Sequence, residues 1–189
     1  STHIAFPGES NGLLPLRSKW RDVERAALSY GYGLSVSAVQ LAQAYAVIAN
    51  DGVKVPLTLK KVDGVPQGEQ VIGKATARQL VQMLETVVSR VGTARRAQVP
   101  GYQVASKTGT VHKVMAGGYA DDNYIGLFAG LAPATDPRIV TVVVIDDPGG
   151  KAYYGGLVAA PAFSNIMSGV LRSLHVPPDK PDGLLAGGP

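Results

Sequence analysis

The residues best equipped for chemistry stand together at Lys107-Thr108-Gly109-Thr110. One ammonium and two hydroxyls within four residues make a set of donors suited to a carboxylate. Residues from Tyr102 to about Val114 read as a strand, so the cluster lies in extended backbone, not in a glycine-rich loop ahead of a helix. A phosphate-binding loop needs Gly-Lys-Ser/Thr at a helix start, and this placement argues against one. In a strand, Gly109 lacks the β-carbon that would hold a substrate backbone away. An exposed strand edge can pair with a peptide in extended form. On the tetrapeptide alone, a glycine bulge flanked by ordinary strand formers remains an equal alternative.

Other constellations carry less. His3, His112 and His175 are scattered without ligand spacing, and there is no cysteine, so no metal site, disulfide framework or thiol nucleophile is expected, and no cofactor. Asp121-Asp122 and Asp146-Asp147 resemble paired acid/base carboxylates, but neighbouring strand residues point to opposite faces, and turn chemistry at loop or strand ends explains them better. The 18 Lys and Arg against 14 Asp and Glu give +4, a mild bias toward anionic ligands that does not make a nucleic-acid binder. Arg95-Arg96 is a tight basic doublet and reads as a solvated loop.

The elements that must position these residues can be read from spacing. Residues 1 to 20, with Pro7, Gly8, Gly12 and Pro15, read as an extended loop. A helix is expected from about Ser35 to Asn50, capped by Ser35 or Ser37, with Gln40 completing a capping box. Val53 to Val62 reads as strand and loop broken by Pro56, followed by a turn at Gly64-Val65-Pro66. A second helix is expected from Ala75 to about Val91, its stripe formed by Leu80, Met83, Leu84, Val87, Val88 and Val91. Tyr124–Leu131 and Ile139–Ile145 read as an antiparallel pair across the Pro133–Pro137 turn. The second of these is apolar on both faces, which suggests a central strand. Its length is far short of the ~20 apolar residues a spanning helix needs. A third helix is expected from Ala160-Pro161 to about His175. Tyr30 and Tyr45 read as core residues. Helices followed by strands and a closing helix predict an α+β fold, an antiparallel sheet with helices packed on its faces.

Taken in order, the motifs resemble one family. Phe6-Pro7-Gly8-Glu9, Tyr30-Gly31-Tyr32-Gly33-Leu34-Ser35-Val36, Gln40-Leu41-Ala42-Gln43-Ala44-Tyr45-Ala46, Val91-Gly92-Thr93-Ala94, the Lys-Thr-Gly-Thr strand, Phe128-Ala129-Gly130, Ala132-Pro133-Ala134 and Tyr153-Tyr154-Gly155-Gly156 before Ala160-Pro161 are each weak alone. Together they resemble class B penicillin-binding proteins, in particular the septal cell-division D,D-transpeptidase of the penicillin-binding protein 3 type. The Lys-Thr-Gly box is shared with serine β-lactamases. The resemblance covers nearly the whole chain, and residues 1–176 are expected to form the C-terminal part of the transpeptidase domain, with 177–189 a flexible tail.

The resemblance implies a penicillin-binding, serine β-lactamase-like fold and a serine acyltransferase acting on peptidoglycan stem peptides ending in D-Ala-D-Ala, acylated also by β-lactams. Lys107, Thr108 and Thr110 would bind the substrate carboxylate and assist proton movement, with Gly109 in the same strand. The Thr110 N–H would form half of the oxyanion hole. Tyr124, Tyr153 and Tyr154 match a wall beside the site, and Tyr32 a nearby pocket residue, against a plainer reading as core tyrosines. His112 stands where relatives commonly carry a basic or amide residue; it reads as a solvent-facing strand residue or one that changes the charge near substrate.

The family's Ser-x-x-Lys and Ser-x-Asn motifs are not in these 189 residues. The nucleophile is therefore expected upstream, in the remainder of the same protein, and this fragment alone is expected to be inactive. The resemblance further implies division-complex membrane partners, no nucleic acid, and a place on the periplasmic side of the inner membrane through an N-terminal helix absent from this chain. Alternatives of the same fold are a catalytically silent scaffold or β-lactam sensor, or a β-lactamase or D,D-carboxypeptidase.

Overall fold

A computed structural model describes residues 1–15, 17–64, 66–89, 92–115, 118–149 and 152–180, with backbone alone for 114–115 and 118–121. Its elements run α1 (Asp22–Ser29), α2 (Ala38–Ala49), β1 (Val53–Lys54), β2 (Glu69–Gln70), α3 (Lys74–Glu85), β3 (Ala105–Met115), β4 (Gly118–Ala132), β5 (Ile139–Asp146), α4 (Gly155–Val158) and α5 (Ala160–Ser173). Short 3-10 turns at Thr86–Val88 and Arg95–Ala97 lead from α3 into β3.

The expected α2 forms with its cap in place. The Ser37 hydroxyl accepts from the Gln40 N–H at 3.2 Å, and Gln40 Oε1 accepts from the Ser37 N–H at 2.8 Å. Two exposed helix donors are thus satisfied reciprocally. The second helix stops earlier than the apolar stripe suggests: the α-helix ends at Glu85 and continues as one tighter turn, while Arg90 and Val91 lie outside the described residues. Strand structure after Val53 is confined to Val53–Lys54, paired with Glu69–Gln70, because the proline two residues on has no N–H to offer a ladder. Val65, at the turn expected there, is likewise outside the described residues. The third helix ends at Ser173, and His175 adopts φ 52°, which no helix can continue. α1, β2 and α4 were not anticipated. α1 buries no residue, and α4 opens on two glycines.

Three antiparallel strands form the sheet, ordered β3-β4-β5. The expected pair meets at Ala132↔Ile139 across the turn that holds the cis Ala132–Pro133 peptide. β5 is not central, as its two apolar faces suggested. Among the described residues β4 is the middle strand and β5 lies at one margin. The pattern arises because helices cover both faces. Val143 and Ile145 join the cluster under α5, and Val140 packs with Tyr45 and Ile48 of α2. Burial on a strand reports what lies above and below it, not what lies beside it.

The larger core lies between the sheet and α5. Phe128 of β4 meets Phe163 of α5 with ring centroids 4.7 Å apart, and Met167 and Leu171 extend the contact, all four fully buried. Each such side chain removed from water contributes about 1.5–3 kcal/mol. The opposite face holds Ala105, Leu131 and Ala134 against α2 and α3. Tyr45 takes part there as expected, half-buried, and burial pushes its phenol up to about 12. Tyr30 does not: it is 69% exposed, edge-on to Tyr32 in the loop after α1. Asp121 and Asp122 also depart from expectation, lying within β4 and not at a turn. No described helix is long and apolar enough to cross a membrane.

Of the expected tail, Pro177–Lys180 are described; residues 181–189 are not. Asp179 accepts from the Gln103 N–H at 2.7 Å and from the Thr135 hydroxyl at 2.8 Å. Near it, partial burial, and then the Asp179 charge, raise the Glu85 carboxyl above its ordinary range. A carboxyl raised in the folded state weakens folding as pH climbs from its unfolded value through its folded one. Glu85→Gln is therefore expected to raise Tm at pH 7 and to leave it unchanged at about pH 3, where the Glu85 carboxyl carries its proton in the folded and unfolded states alike. Thermal melts of the two proteins at both pH values check this; an equal or lower Tm for the variant at pH 7 would contradict it.

Candidate functional site

β3 runs along the other margin of the sheet, with β4 on one side and no strand on the other among the described residues. Lys107-Thr108-Gly109-Thr110 lie in its middle, opposite Ala129, Phe128, Leu127 and Gly126. Alternation along a strand sends Thr108, Thr110 and His112 to one face and Lys107 and Gly109 to the other. The Lys107 side chain is exposed and turns back on its own strand, where the ammonium donates to the Thr108 carbonyl at 3.0 Å and lies 3.4 Å from the Thr108 hydroxyl. Among the described residues no carboxylate pairs with it. The result is a margin with one uncompensated cation beside two hydroxyls.

Those hydroxyls open on a hollow of about 330 Å³ lined by Thr93, Thr108, Thr110, Tyr154, Gly156 and Leu157. Each threonine is held. Thr108 Oγ1 is 3.5 Å from Thr93 Oγ1, and Thr110 Oγ1 accepts from the Gly155 N–H at 3.0 Å. Accepting from a backbone donor occupies one lone pair of Thr110 and leaves its proton free for a ligand.

The floor depends on glycines. A β-carbon on Gly126 would lie 2.6 Å from Val158 Cγ2, and one on Gly156 would lie 2.5 Å from the Thr93 carbonyl oxygen and 3.3 Å from Thr108 Cγ2. Their bareness lets the segment from Tyr153 to Val158 rest directly on the sheet and keeps the hollow open. Gly109 has a different role from the one expected. Its missing β-carbon would fall 2.7 Å from Leu127 Cγ, so the space is taken by the neighbouring strand and not left for a ligand.

The aromatic residues form a continuous ladder. The His112 ring lies 4.5 Å from Tyr124, Tyr124 stacks on Tyr153 at 4.0 Å, and Tyr153 meets Tyr154 at 4.4 Å. The Tyr153 hydroxyl donates to that of Tyr154 at 3.2 Å. That bond first, then the neighbouring phenol charge, pushes Tyr153 up to about 12, so it stays neutral at physiological pH. Of the nine residues singled out from sequence, eight therefore gather along β3, β4 and the loop before α4. Tyr32 does not line the hollow; it sits beyond α1 against Tyr30. Thr93, Gly155, Gly156 and Leu157 are site residues that sequence reasoning missed. The doubled glycine directly after two tyrosines was the available signal, since such a pair ahead of a helix suggests close backbone approach.

Residues 1–168 match the family model described as penicillin binding protein transpeptidase domain. The chain is 49% identical over 176 residues to the probable peptidoglycan D,D-transpeptidase PbpC of Pseudomonas aeruginosa, covering 93% of this chain and 31% of that protein. It is 45% identical over 179 residues to the peptidoglycan D,D-transpeptidase FtsI of Escherichia coli K12, covering 95% and 30%. Among solved structures, the apo transpeptidase domain of Burkholderia pseudomallei penicillin-binding protein 3 superposes with a TM-score of 0.88 at 45% identity, covering 95% of this chain and 55% of that one. The chain thus spans less than a third of the length of these curated relatives.

Proposed function

This chain belongs to the penicillin-binding protein transpeptidase domain family, and from that premise we propose that it forms the substrate-holding part of a peptidoglycan D,D-transpeptidase of the penicillin-binding protein 3 type, with the nucleophilic serine elsewhere in the same protein. The observation that carries the reading is the Lys107 ammonium, which no carboxylate pairs among the described residues, on a strand margin beside two threonine hydroxyls that face a hollow. Such a set suits the terminal carboxylate of an extended peptide, which would add to β3 as another strand.

In the proposed reaction the serine oxygen attacks the penultimate D-Ala carbonyl carbon, forming an ester as the C–N bond to the last D-Ala breaks. The departing amine takes a proton and leaves as free D-Ala. An amine of a neighbouring stem then attacks the ester, forming the cross-link and returning the proton to the serine. In this scheme Lys107, Thr108 and Thr110 fix the carboxylate, and the Thr110 N–H supplies one oxyanion donor. Tyr124, Tyr153, Tyr154 and His112 wall the site beside the peptide; Tyr32, expected as a nearby pocket residue, does not line the hollow and is given no role in this scheme. β-Lactams enter by the same acylation. The place of action follows the same reading: septal cross-linking on the periplasmic face of the inner membrane, alongside division-complex membrane proteins. Residues 1–176 are the C-terminal part of the domain; the expected tail begins later than Pro177, since Asp179 and Lys180 are hydrogen-bonded to Gln103, Thr135 and Gly101.

Thr110→Val tests the carboxylate site in the complete protein. The variant keeps the shape and loses the hydroxyl, so acylation by a fluorescent penicillin is expected to slow about 10- to 100-fold, the value of a hydrogen bond to a charged group. Thr110→Ser should restore most of the rate. Equal rates for Thr110→Val and the parent would remove this hydroxyl from the mechanism.

A further inference from the structure

Next to the threonine-lined hollow is a second one of about 500 Å³, lined by Gly92, Thr93, Arg95, Arg96, Gln98, Gly156 and Leu157. The two share Thr93, Gly156 and Leu157, so one continuous wall serves both. The basic doublet that reads from sequence as a solvated loop therefore borders the site. The backbone that presents it is fixed. Ala94 and Ala97, on either side of the pair, are fully buried, and the Ala94 N–H donates to the Val87 carbonyl at 3.1 Å. The Gln98 carbonyl accepts from the Ser164 hydroxyl of α5 at 2.6 Å, and Thr93 touches Thr108 of β3.

Both arginines are exposed, and among the described residues neither guanidinium has an ion-pair or hydrogen-bond partner. Two adjacent positive charges on a pinned turn repel each other unless an anion lies between them. A guanidinium also presents a planar fork of donors that matches a carboxylate.

We propose that Arg95 and Arg96 form an anionic subsite that takes a second carboxylate of the bound peptide, beyond the terminal one held by Lys107, Thr108 and Thr110. This rests on the transpeptidase reading for the identity of the ligand as an acidic peptide ending in D-Ala-D-Ala. The subsite makes Arg95 and Arg96 specificity determinants: they discriminate between a donor peptide with a free side-chain carboxylate and one in which that group is an amide. Gly156 lets the wall shared by the two hollows pack directly on Thr93, since a β-carbon there would collide with the Thr93 carbonyl.

The test uses the complete protein and the peptide pair acetyl-Glu-D-Ala-D-Ala and acetyl-Gln-D-Ala-D-Ala, with binding followed by calorimetry. The parent is expected to bind the glutamyl peptide about tenfold more tightly at low salt, and to lose most of that preference at high salt. Arg95→Gln/Arg96→Gln should bind the two peptides alike, and Arg95→Lys/Arg96→Lys, which keeps the charge, should retain part of the preference. A parent without preference, or a Gln variant that keeps it, overturns the proposal. Should the Gln variant fail to fold, the salt dependence of the parent still decides. Penicillin acylation of the parent is measured alongside. Its absence would sink the transpeptidase reading, whereas normal acylation with no glutamyl preference would sink the subsite alone.

Discussion

Gly155→Ala is expected to damage the fold and the site together. A β-carbon at this position would fall inside contact distance of the carbonyl oxygens of Gly109 and Leu127, and 3.0 Å from the Leu127 nitrogen. These are backbone atoms of β3 and β4, so no rotamer change can make room. The start of α4 must instead lift off the sheet, which breaks the Gly155 N–H bond to Thr110 and carries Tyr154 and Gly156 away from the hollow they line. Overpacking of this kind costs about 1–3 kcal/mol where side chains can adjust, and about 3 kcal/mol or more is expected where they cannot. The complete protein should show a lowered melting temperature together with slowed penicillin acylation. Gly169→Ala is the matched comparison. That glycine sits inside α5 with open space around its missing β-carbon, and alanine there should stabilise by up to about 1 kcal/mol. If Gly155→Ala melted and acylated like the parent, α4 would not be seated on β3 as described.

Lys107→Met should separate chemistry from stability in the opposite way. Lys107 is exposed and pairs with no carboxylate among the described residues, so its loss removes little from the fold. Methionine keeps most of the stem while deleting the charge. Acylation by a labelled penicillin is expected to fall about 100-fold, because charge-assisted hydrogen bonds to a carboxylate are the strong ones and the variant has no charge to offer. Melting temperature should move by no more than a degree or two, as for surface substitutions. The rate and the melt can be measured on one preparation. A large drop in melting temperature with unchanged acylation would reverse the assignment and make Lys107 a structural residue.

Much of this arrangement could be read from sequence where local chemistry alone decides it. The Ser37–Gln40 capping box placed the start of α2, and the Pro133–Pro137 turn placed the β4–β5 pair. The Lys-Thr-Gly-Thr strand was legible because cation, hydroxyls and glycine alternate within extended backbone. What could not be read depends on partners distant in sequence. The apolar faces of β5 announced two covering layers but not its place in the sheet, since strand order is set by neighbours and not by the strand's own alternation. Gly109 looked like an opening for substrate, and the structure fills that opening with Leu127 from β4. Arg95 and Arg96 looked like solvent-facing loop because nothing local says that their turn is pinned against β3 and α5. Tyr30 looked like core, and its exposure at the end of a helix that buries no residue shows how little an aromatic residue alone reveals about burial.

The account depends on Lys107 to Thr110 serving a serine that these 189 residues do not contain in its family motif. The most direct test is to treat the complete protein with a penicillin, measure its intact mass and map the modified peptide. The expected result is one covalently bound penicillin per protein on a serine that has lysine three residues later, outside this segment, with the adduct much reduced in Lys107→Met. No adduct on the folded protein, or an adduct on any serine within residues 1–189, would contradict it.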